Sequence, residues 1–128
     1  MKRNLRMLGW REWVALPELG IDSIKAKVDT GARTSCLHAF YVDPLRRRGK
    51  SYVRFGVHPL QGDRTQVLHC EAEVLDQRQV TDSGGHRELR YVIQTRLQLL
   101  DYDDSVELTL TNRDTMRFRM LLGRTAMA

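Results

Sequence analysis

The sequence predicts an all-β fold arranged as a small closed or nearly closed β-barrel, and three observations lead to this prediction. Apolar and polar residues alternate along most of the chain, which is typical of strands that bury one face. No window of helical length places apolar residues at the i, i+3, i+4 and i+7 spacing of an amphipathic helix. Turn-forming residues separate the alternating runs at short intervals, so roughly seven strands fit into the chain.

The length of 128 residues predicts one domain, which we place at residues 1–128. Hydrophobic residues make up 41% of the chain and charged residues 29%, the balance of an ordinary globular protein. This composition excludes a disordered, collagen-like or coiled-coil chain.

The N-terminal half contains one clear strand and two predicted loops. Residues 24–28 alternate apolar side chains with two lysines, and a turn at residues 17–20 precedes them. Residues 43–49 predict a basic loop, because Pro44 and a glycine flank three consecutive arginines. Residues 59–63 predict a second loop.

A long hairpin follows in the second half of the chain. Two alternating runs, at about residues 66–81 and 87–100, flank a turn that contains Gly84 and Gly85. Strands of that length in a small domain predict a ribbon that overhangs the body of the protein.

Alternation continues towards the C-terminal end. Runs at residues 106–110 and 118–122 predict two further strands, and residues 101–104 predict an acidic turn before them. Residues 124–127 are compatible with the start of a short helix.

The charge balance predicts an acidic partner. The formal net charge is +5, and most of the 21 basic residues are arginines, which bind carboxylates and phosphates with two parallel hydrogen bonds. Nucleic acid is a disfavoured partner, because the sequence has no basic stripe interleaved with aromatic residues.

The apolar runs are only a few residues long, so we expect neither a membrane span nor a signal peptide. We therefore expect a cytoplasmic protein. In that reducing compartment Cys36 and Cys70 are expected to be free, buried thiols. His58 and His86 fall in predicted loops, where we expect solvated side chains.

The tetrapeptide Asp29-Thr30-Gly31-Ala32 directly follows the strand at residues 24–28 and is the candidate catalytic motif. Gly31 permits a tight turn, and the Thr30 hydroxyl can fix the turn with a hydrogen bond. Asp29 would then project from a rigid support. The alternative is a purely structural role, in which Asp29 ends a strand in a turn.

These residues resemble the active-site signature of the retropepsin-type aspartic peptidases. The segment Leu121-Leu122-Gly123-Arg124 resembles the hydrophobic-hydrophobic-Gly-Arg segment that packs beside that loop in the family. More narrowly, residues 10–20 and 26–39 resemble the bacterial family known as ATP-dependent zinc proteases. Proteins of that family are linked with ATP-grasp ligases that add glutamates to a ribosomal protein.

The resemblance implies a retropepsin-type barrel and an aspartic endopeptidase that needs no cofactor. Two carboxylates would share a proton, one activating water and the other polarising the peptide carbonyl. Because the chain has one Asp-Thr-Gly, the second Asp29 would come from a homodimer partner, with Thr30 and Gly31 completing each catalytic loop. The hairpin tip at Gly84 and Gly85 would be a flap over a peptide or protein substrate.

The resemblance also implies substrate-binding roles for Ala32, Arg33 and Arg124. Arg33 stands where many retropepsins have an acidic residue, so Arg124 loses its expected partner. Two arginines beside the cleft would suit a glutamate-rich substrate. The alternative is that each pairs with a structural acid such as Asp22 or Asp114.

A zinc site is not supported by the spacing of metal-ligating residues. The sequence has neither His-Glu-x-x-His nor Cys-x-x-Cys. Cys36 and His38 share one face of a predicted strand, whereas the adjacent His69 and Cys70 point to opposite faces. We therefore expect no metal, and a zinc-dependent protease is the weaker hypothesis. A phosphate-binding Gly-x-x-x-x-Gly-Lys motif is missing too, so any ATP dependence would belong to a partner.

A second function class remains open beside the peptidase. A non-catalytic module of the same fold would bind an acidic partner or regulate an ATP-grasp ligase. An Asp29 carboxylate facing its twin in a dimer would favour catalysis, and an Asp29 open to solvent in a monomer would favour the module.

Overall fold

The computed structural model describes residues 11–29, 34–59, 65–81, 84–85, 87–99, 102–112 and 120–123, and this part of the chain is built almost entirely of strands. A short 3-10 turn at Pro17–Leu19 links the first two strands. The strands are β1 (Arg11–Leu16), β2 (Ile21–Asp29), β3 (Ser35–Ala39), β4 (Tyr41–Arg47), β5 (Lys50–Val57), β6 (Leu68–Glu73), β7 (Asp76–Thr81), β8 (Arg87–Leu99), β9 (Tyr102–Asn112) and β10 (Met120–Gly123).

Six of these strands close into a mixed barrel. The order is β1-β2-β10-β3-β9-β8, and β1 returns to β8 through the pair Ala15 and Gln98. β10 runs parallel to β2, and β3 runs parallel to β9, whereas the other neighbours are antiparallel. The prediction of an all-β barrel is confirmed.

The predicted alternation places the barrel core correctly. Ile24, Ala26 and Val28 of β2 are all buried, while the lysines between them lie on the other face. β8 buries alternate residues from Ile93 to Leu99 in the same way, whereas β9 is buried on both faces from Leu108 to Thr111. Removing these side chains from water is the main stabilising contribution to the fold.

A separate three-stranded sheet, β4-β5-β6, packs on the barrel. Its inner face adds Val53, Phe55, Val57 and Cys70 to the same apolar core. Both cysteines are free and buried, as the sequence predicts.

The basic loop predicted at residues 43–49 is wrong. Residues 41–47 form β4, and the turn is confined to Arg48 and Gly49, both at positive φ. Pro44 is tolerated because β4 is an edge strand of its sheet. Proline lacks a backbone N–H, and at an edge this does not interrupt the hydrogen bonds between central strands. The count of roughly seven strands is too low for the same reason.

The run at residues 66–81 is also not one strand. It divides into β6 and β7, which belong to different sheets, with Val74 and Leu75 between them. The overhanging ribbon is confirmed but is shorter than expected, because it consists of β7 and the first part of β8. The acidic turn predicted at residues 101–104 is wrong for residues 102–104, which begin β9. Residue 101 and residues 124–127 lie outside the described residues.

His58 was expected to be solvated, and that expectation is wrong. Its ring is buried and stacked on Phe40 at 4.4 Å between centroids, and Nδ1 lies 3.2 Å from the Gln66 carbonyl oxygen. Gly56 makes room for this packing, because a Cβ there would lie 2.5 Å from the Phe40 ring. His86 lies outside the described residues. Within the part of the chain that is described, we find no helix of the length and apolar character needed to span a bilayer.

Candidate active site

Asp29 is the last residue of β2, and its backbone is in register with Gly123 at the end of β10. β10 lies between β2 and β3, so the strands before and after the Asp-Thr-Gly motif flank the same central strand. Thr30 to Arg33, Arg124 and the side chain of Asp29 lie outside the described residues. The structure therefore describes the strands before and after the motif, β2 and β3, and the strand between them, β10. We call these three strands the frame of the motif.

Gly123 is the tightest point of that frame. A Cβ at this position would lie 2.6 Å from the carbonyl carbon and oxygen of Thr34, a distance that atoms in real structures do not tolerate. The glycine therefore lets β10 approach the backbone directly after the motif. This contact accounts for the glycine in the Leu-Leu-Gly-Arg segment.

A hydrogen bond fixes the same approach. The backbone N–H of Gly123 donates to the hydroxyl of Ser35 at 3.0 Å, and Ser35 is buried. The carbonyl of Ser35 in turn accepts a hydrogen bond from the Thr109 hydroxyl at 3.3 Å. These bonds join β10, β3 and β9 at the level of the motif. The sequence alone does not single out Ser35, because one serine after a turn carries no distinctive signal.

Cys36 extends this polar cluster, and its thiol lies 3.7 Å from the Thr111 hydroxyl. Burial raises the pKa of Cys36, although hydrogen bonding with Thr111 and Thr109 partly opposes the rise. The thiol therefore remains protonated at neutral pH and is no nucleophile.

A row of side chains crosses the outer face of the barrel beside the motif. Lys27 of β2, Leu121 of β10 and Cys36 of β3 are direct partners in neighbouring strands. Leu121 is half-buried, whereas its neighbours Met120 and Leu122 are buried in the core. A cation and an apolar side chain thus stand on the barrel surface within two residues of Asp29 and Gly123.

Gly84 and Gly85 lie at the exposed tip of the ribbon. Gly85 has φ +83°, a left-handed conformation that glycine adopts without strain. The tip is therefore a glycine-dependent turn at the end of two paired strands.

The four zinc-ligand candidates are held by different sheets. Cys36 and His38 are buried on β3 of the barrel, whereas His69 and Cys70 lie on β6 of the second sheet. Cys70 points into the core, and the exposed His69 Nδ1 lies 2.7 Å from the Tyr41 hydroxyl. Among the described residues, no group of three or more His, Cys, Asp or Glu side chains is placed to hold a metal ion.

The family model described as RimB-like, retropepsin-like aspartic endopeptidase RimB, matches residues 7–128. The crystal structure of a Legionella pneumophila protein of unknown function (DUF785) is also similar, with a TM-score of 0.70 and 29% sequence identity. That likeness covers 92% of this chain and 83% of the Legionella chain.

Curated relatives carry a different name. A "Probable alpha-L-glutamate ligase" of Shewanella halifaxensis is 49% identical over 128 residues, which is 100% of this chain and 28% of the relative. A protein of the same name from Parasynechococcus marenigrum is 51% identical over 121 residues, which is 94% of this chain and 26% of the relative. The chain therefore spans about a quarter of the length of these relatives.

Proposed function

This chain belongs to the RimB-like family of retropepsin-like aspartic endopeptidases, and from that premise we propose that it hydrolyses peptide bonds as a homodimer. One observation carries the proposal: Asp29 ends β2 in register with Gly123, and Gly123 is held against Thr34 and Ser35. A catalytic aspartate needs such a rigid support, because the geometry of the reacting groups must be set before substrate arrives.

In the proposed mechanism, two Asp29 carboxylates share one proton. The ionised carboxylate takes a proton from the attacking water, and the protonated carboxyl donates a hydrogen bond to the peptide carbonyl. Like charges at close range keep both groups from ionising together. The second Asp29 comes from a second copy, because the sequence contains one Asp-Thr-Gly.

Thr30 and Gly31 would hold the aspartate loop, and Ala32 would contact the substrate backbone. The glycine tip of the ribbon, Gly84 and Gly85, would close over the bound peptide and exclude water. In this proposal residues 1–128 act as one cytoplasmic domain.

We further propose that the substrate is acidic, with glutamates near the cleaved bond. Relatives named as glutamate ligases contain a stretch similar to this entire chain, which supports a peptidase that acts on the product of such a ligase. The net charge of +5 favours an acidic peptide. Arg33 and Arg124 are the proposed contacts for substrate carboxylates.

The test is turnover of glutamate-rich peptides by wild type, Asp29→Asn and the matched control Asp22→Asn. Asp22 is an exposed residue of the same strand, so its neutralisation should leave turnover unchanged. Asp29→Asn should abolish cleavage while circular dichroism and the thermal midpoint remain near those of wild type. Cleavage by purified Asp29→Asn protein would refute the catalytic assignment, and sedimentation of an active monomer would refute the shared dyad.

Substrate charge is tested with matched peptides that carry Glu, Gln or Lys beside the cleaved bond. Arg33→Ala and Arg124→Ala should each reduce kcat/KM for the Glu peptide by about ten- to a hundredfold, and change the Gln peptide little. Equal rates for all three peptides in wild type would remove the acidic-substrate proposal.

A second candidate is a non-catalytic module that regulates a glutamate ligase. The observation in its favour is that the matching stretch forms only about a quarter of each ligase-named relative. A regulatory module would change ligase turnover to the same extent as the wild-type protein and as the Asp29→Asn variant. A peptidase would change only the length of the ligase product, and only when Asp29 is intact.

A further inference from the structure

The β7–β8 ribbon separates from the barrel at Val92. From Leu99 to Val92, β8 pairs with β9, and from Val92 to Arg87 it pairs with β7. The first five residues of β8 therefore belong to a two-stranded ribbon that rises from the barrel wall. Side chains on one face of this ribbon continue the outer face of the barrel beside β9 and β3.

The register identifies which side chains those are. Cys36 pairs with Thr109, and Thr109 pairs with Val92, so these three residues form one row. Because side chains alternate along a strand, Arg90 and Glu88 of β8 share the face of Val92. Because β8 and β9 are antiparallel, Arg90 and Glu88 lie beyond Val92 in the direction in which β9 runs from Thr109 to Thr111, between the barrel wall and the glycine tip of the ribbon. That tip is the proposed flap over the bound peptide.

Arg90 differs from the other ion-paired arginines that the structure describes. Its side chain is 14% exposed, whereas the side chains of Arg47, Arg54, Arg78 and Arg96 are 39–53% exposed. A guanidinium with so little exposure has lost much of its hydration and needs good partners in return.

The partner that Arg90 has is a poor one. Its Nε and Nη2 both lie 3.3 Å from the same Oε2 of Glu88, two residues away on the same strand. In the part of the chain that is described, no acceptor is found for Nη1. By contrast, Arg96 reaches both oxygens of Asp103, and Arg78 lies 2.8 Å from Glu107. Arg90 therefore retains donors that a second carboxylate can use.

We propose that Arg90 is a specificity-determining residue that binds a substrate carboxylate on this face of the ribbon. The inference deepens the proposed peptidase function and rests on it. Glu88 is the counter-ion of Arg90 in the free protein, and it is the more exposed of the two, with 34% of its side chain in solvent. A glutamate side chain of the substrate binds the open edge of the guanidinium with two parallel hydrogen bonds.

Arg78 is the matched control, because it is the direct cross-strand partner of Arg90 on the same ribbon. Its guanidinium is already bound by Glu107 and lies 3.5 Å from Asp76. Loss of Arg78 tests a general effect of ribbon charge or stability, whereas loss of Arg90 tests carboxylate recognition.

The first arm of the experiment measures cleavage of paired peptides that differ only as Glu or Gln beside the cleaved bond. Arg90→Gln should reduce kcat/KM for the Glu peptide by about ten- to a hundredfold, mainly through KM, and leave the Gln peptide nearly unchanged. Arg90→Lys should recover part of the loss, because it restores charge without the planar fork. Glu88→Gln should lower KM for the Glu peptide, since it removes the internal competitor.

The second arm measures binding without turnover. A fluorescent oligoglutamate is titrated against Asp29→Asn protein, alone and combined with Arg90→Gln or Arg78→Gln. Arg90→Gln should weaken binding about tenfold or more, and Arg78→Gln should change it less than twofold. If wild type cleaves no peptide, the peptidase proposal fails, and this arm still decides the role of Arg90.

The inference would be overturned if folded Arg90→Lys and Arg90→Gln proteins keep the wild-type preference for the Glu peptide over the Gln peptide and the wild-type affinity for oligoglutamate. Equal losses for Arg90→Gln and Arg78→Gln would overturn it too, since both would then reflect ribbon charge alone.

Discussion

The backbone nitrogen of Gly123 lies 3.0 Å from the hydroxyl of Ser35, although 88 positions of sequence separate the two residues. The bond closes the frame around the Asp-Thr-Gly motif, because Gly123 is in register with Asp29 and Ser35 begins the strand that follows the motif. The same glycine allows β10 to approach Thr34 at a distance no side chain permits. The candidate active site is therefore held by one small residue and one buried hydroxyl.

Gly123→Ala and Ser35→Ala should both destabilise this frame. The alanine Cβ would displace the Thr34 backbone, at a cost of about 1–3 kcal/mol. Ser35→Ala would leave a buried N–H without its acceptor, which costs about 1–3 kcal/mol. Chemical denaturation measures both effects. The exposed Ser105 provides the control, and an effect of Ser105→Ala as large as that of Ser35→Ala would contradict the explanation.

Thr95→Val and Thr109→Val should change stability in opposite directions. The Thr95 hydroxyl is buried and has no hydrogen-bond partner among the described residues, so the isosteric valine should stabilise the fold by about 1 kcal/mol. The Thr109 hydroxyl donates to Ser35, so its removal should destabilise the fold by about 1 kcal/mol. A common sign for the two changes in urea denaturation would refute this assignment.

Cys70 should make the fold less stable at alkaline pH. Burial raises the pKa of its thiol from 9.0 to about 11, so the folded chain keeps a proton that the unfolded chain releases between those values. The stabilising contribution of the protonated Cys70 thiol to the free energy of unfolding is fully present below pH 9 and is lost as pH rises through about 11. Urea denaturation from pH 8 to pH 11 measures the decline. The decline should be shallower in Cys70→Ala, and an equal slope would exclude the thiol as its source.

Peptidase activity should survive chelators without added zinc. Cys36 and His38 belong to the barrel, and His69 and Cys70 point to opposite faces of a strand in the other sheet. The measurement is turnover in EDTA, with zinc restored afterwards. Activity that disappears in EDTA and returns with zinc alone would favour a metallopeptidase over the aspartate dyad.

The sequence predicted the fold class and the barrel core because side-chain alternation is a local property. Ile24, Ala26 and Val28 must share a face in any extended strand, and that face must be buried. The ribbon was predictable for the same reason, since two glycines between two alternating runs favour a tight hairpin. The Asp-Thr-Gly motif can likewise be recognised from the sequence, because its residues are consecutive.

The tertiary structure alone decided how these pieces meet. No local pattern tells that Gly123 lies against Thr34, that Pro44 is tolerated on an edge strand, or that one run divides between two sheets. Arg90 is indistinguishable in the sequence from the exposed arginines around it. It becomes a candidate binding residue only because β8 leaves β9 at Val92 and keeps that side chain out of solvent. Burial and strand pairing depend on contacts between residues far apart in the chain, and alternation within one strand carries no information about them.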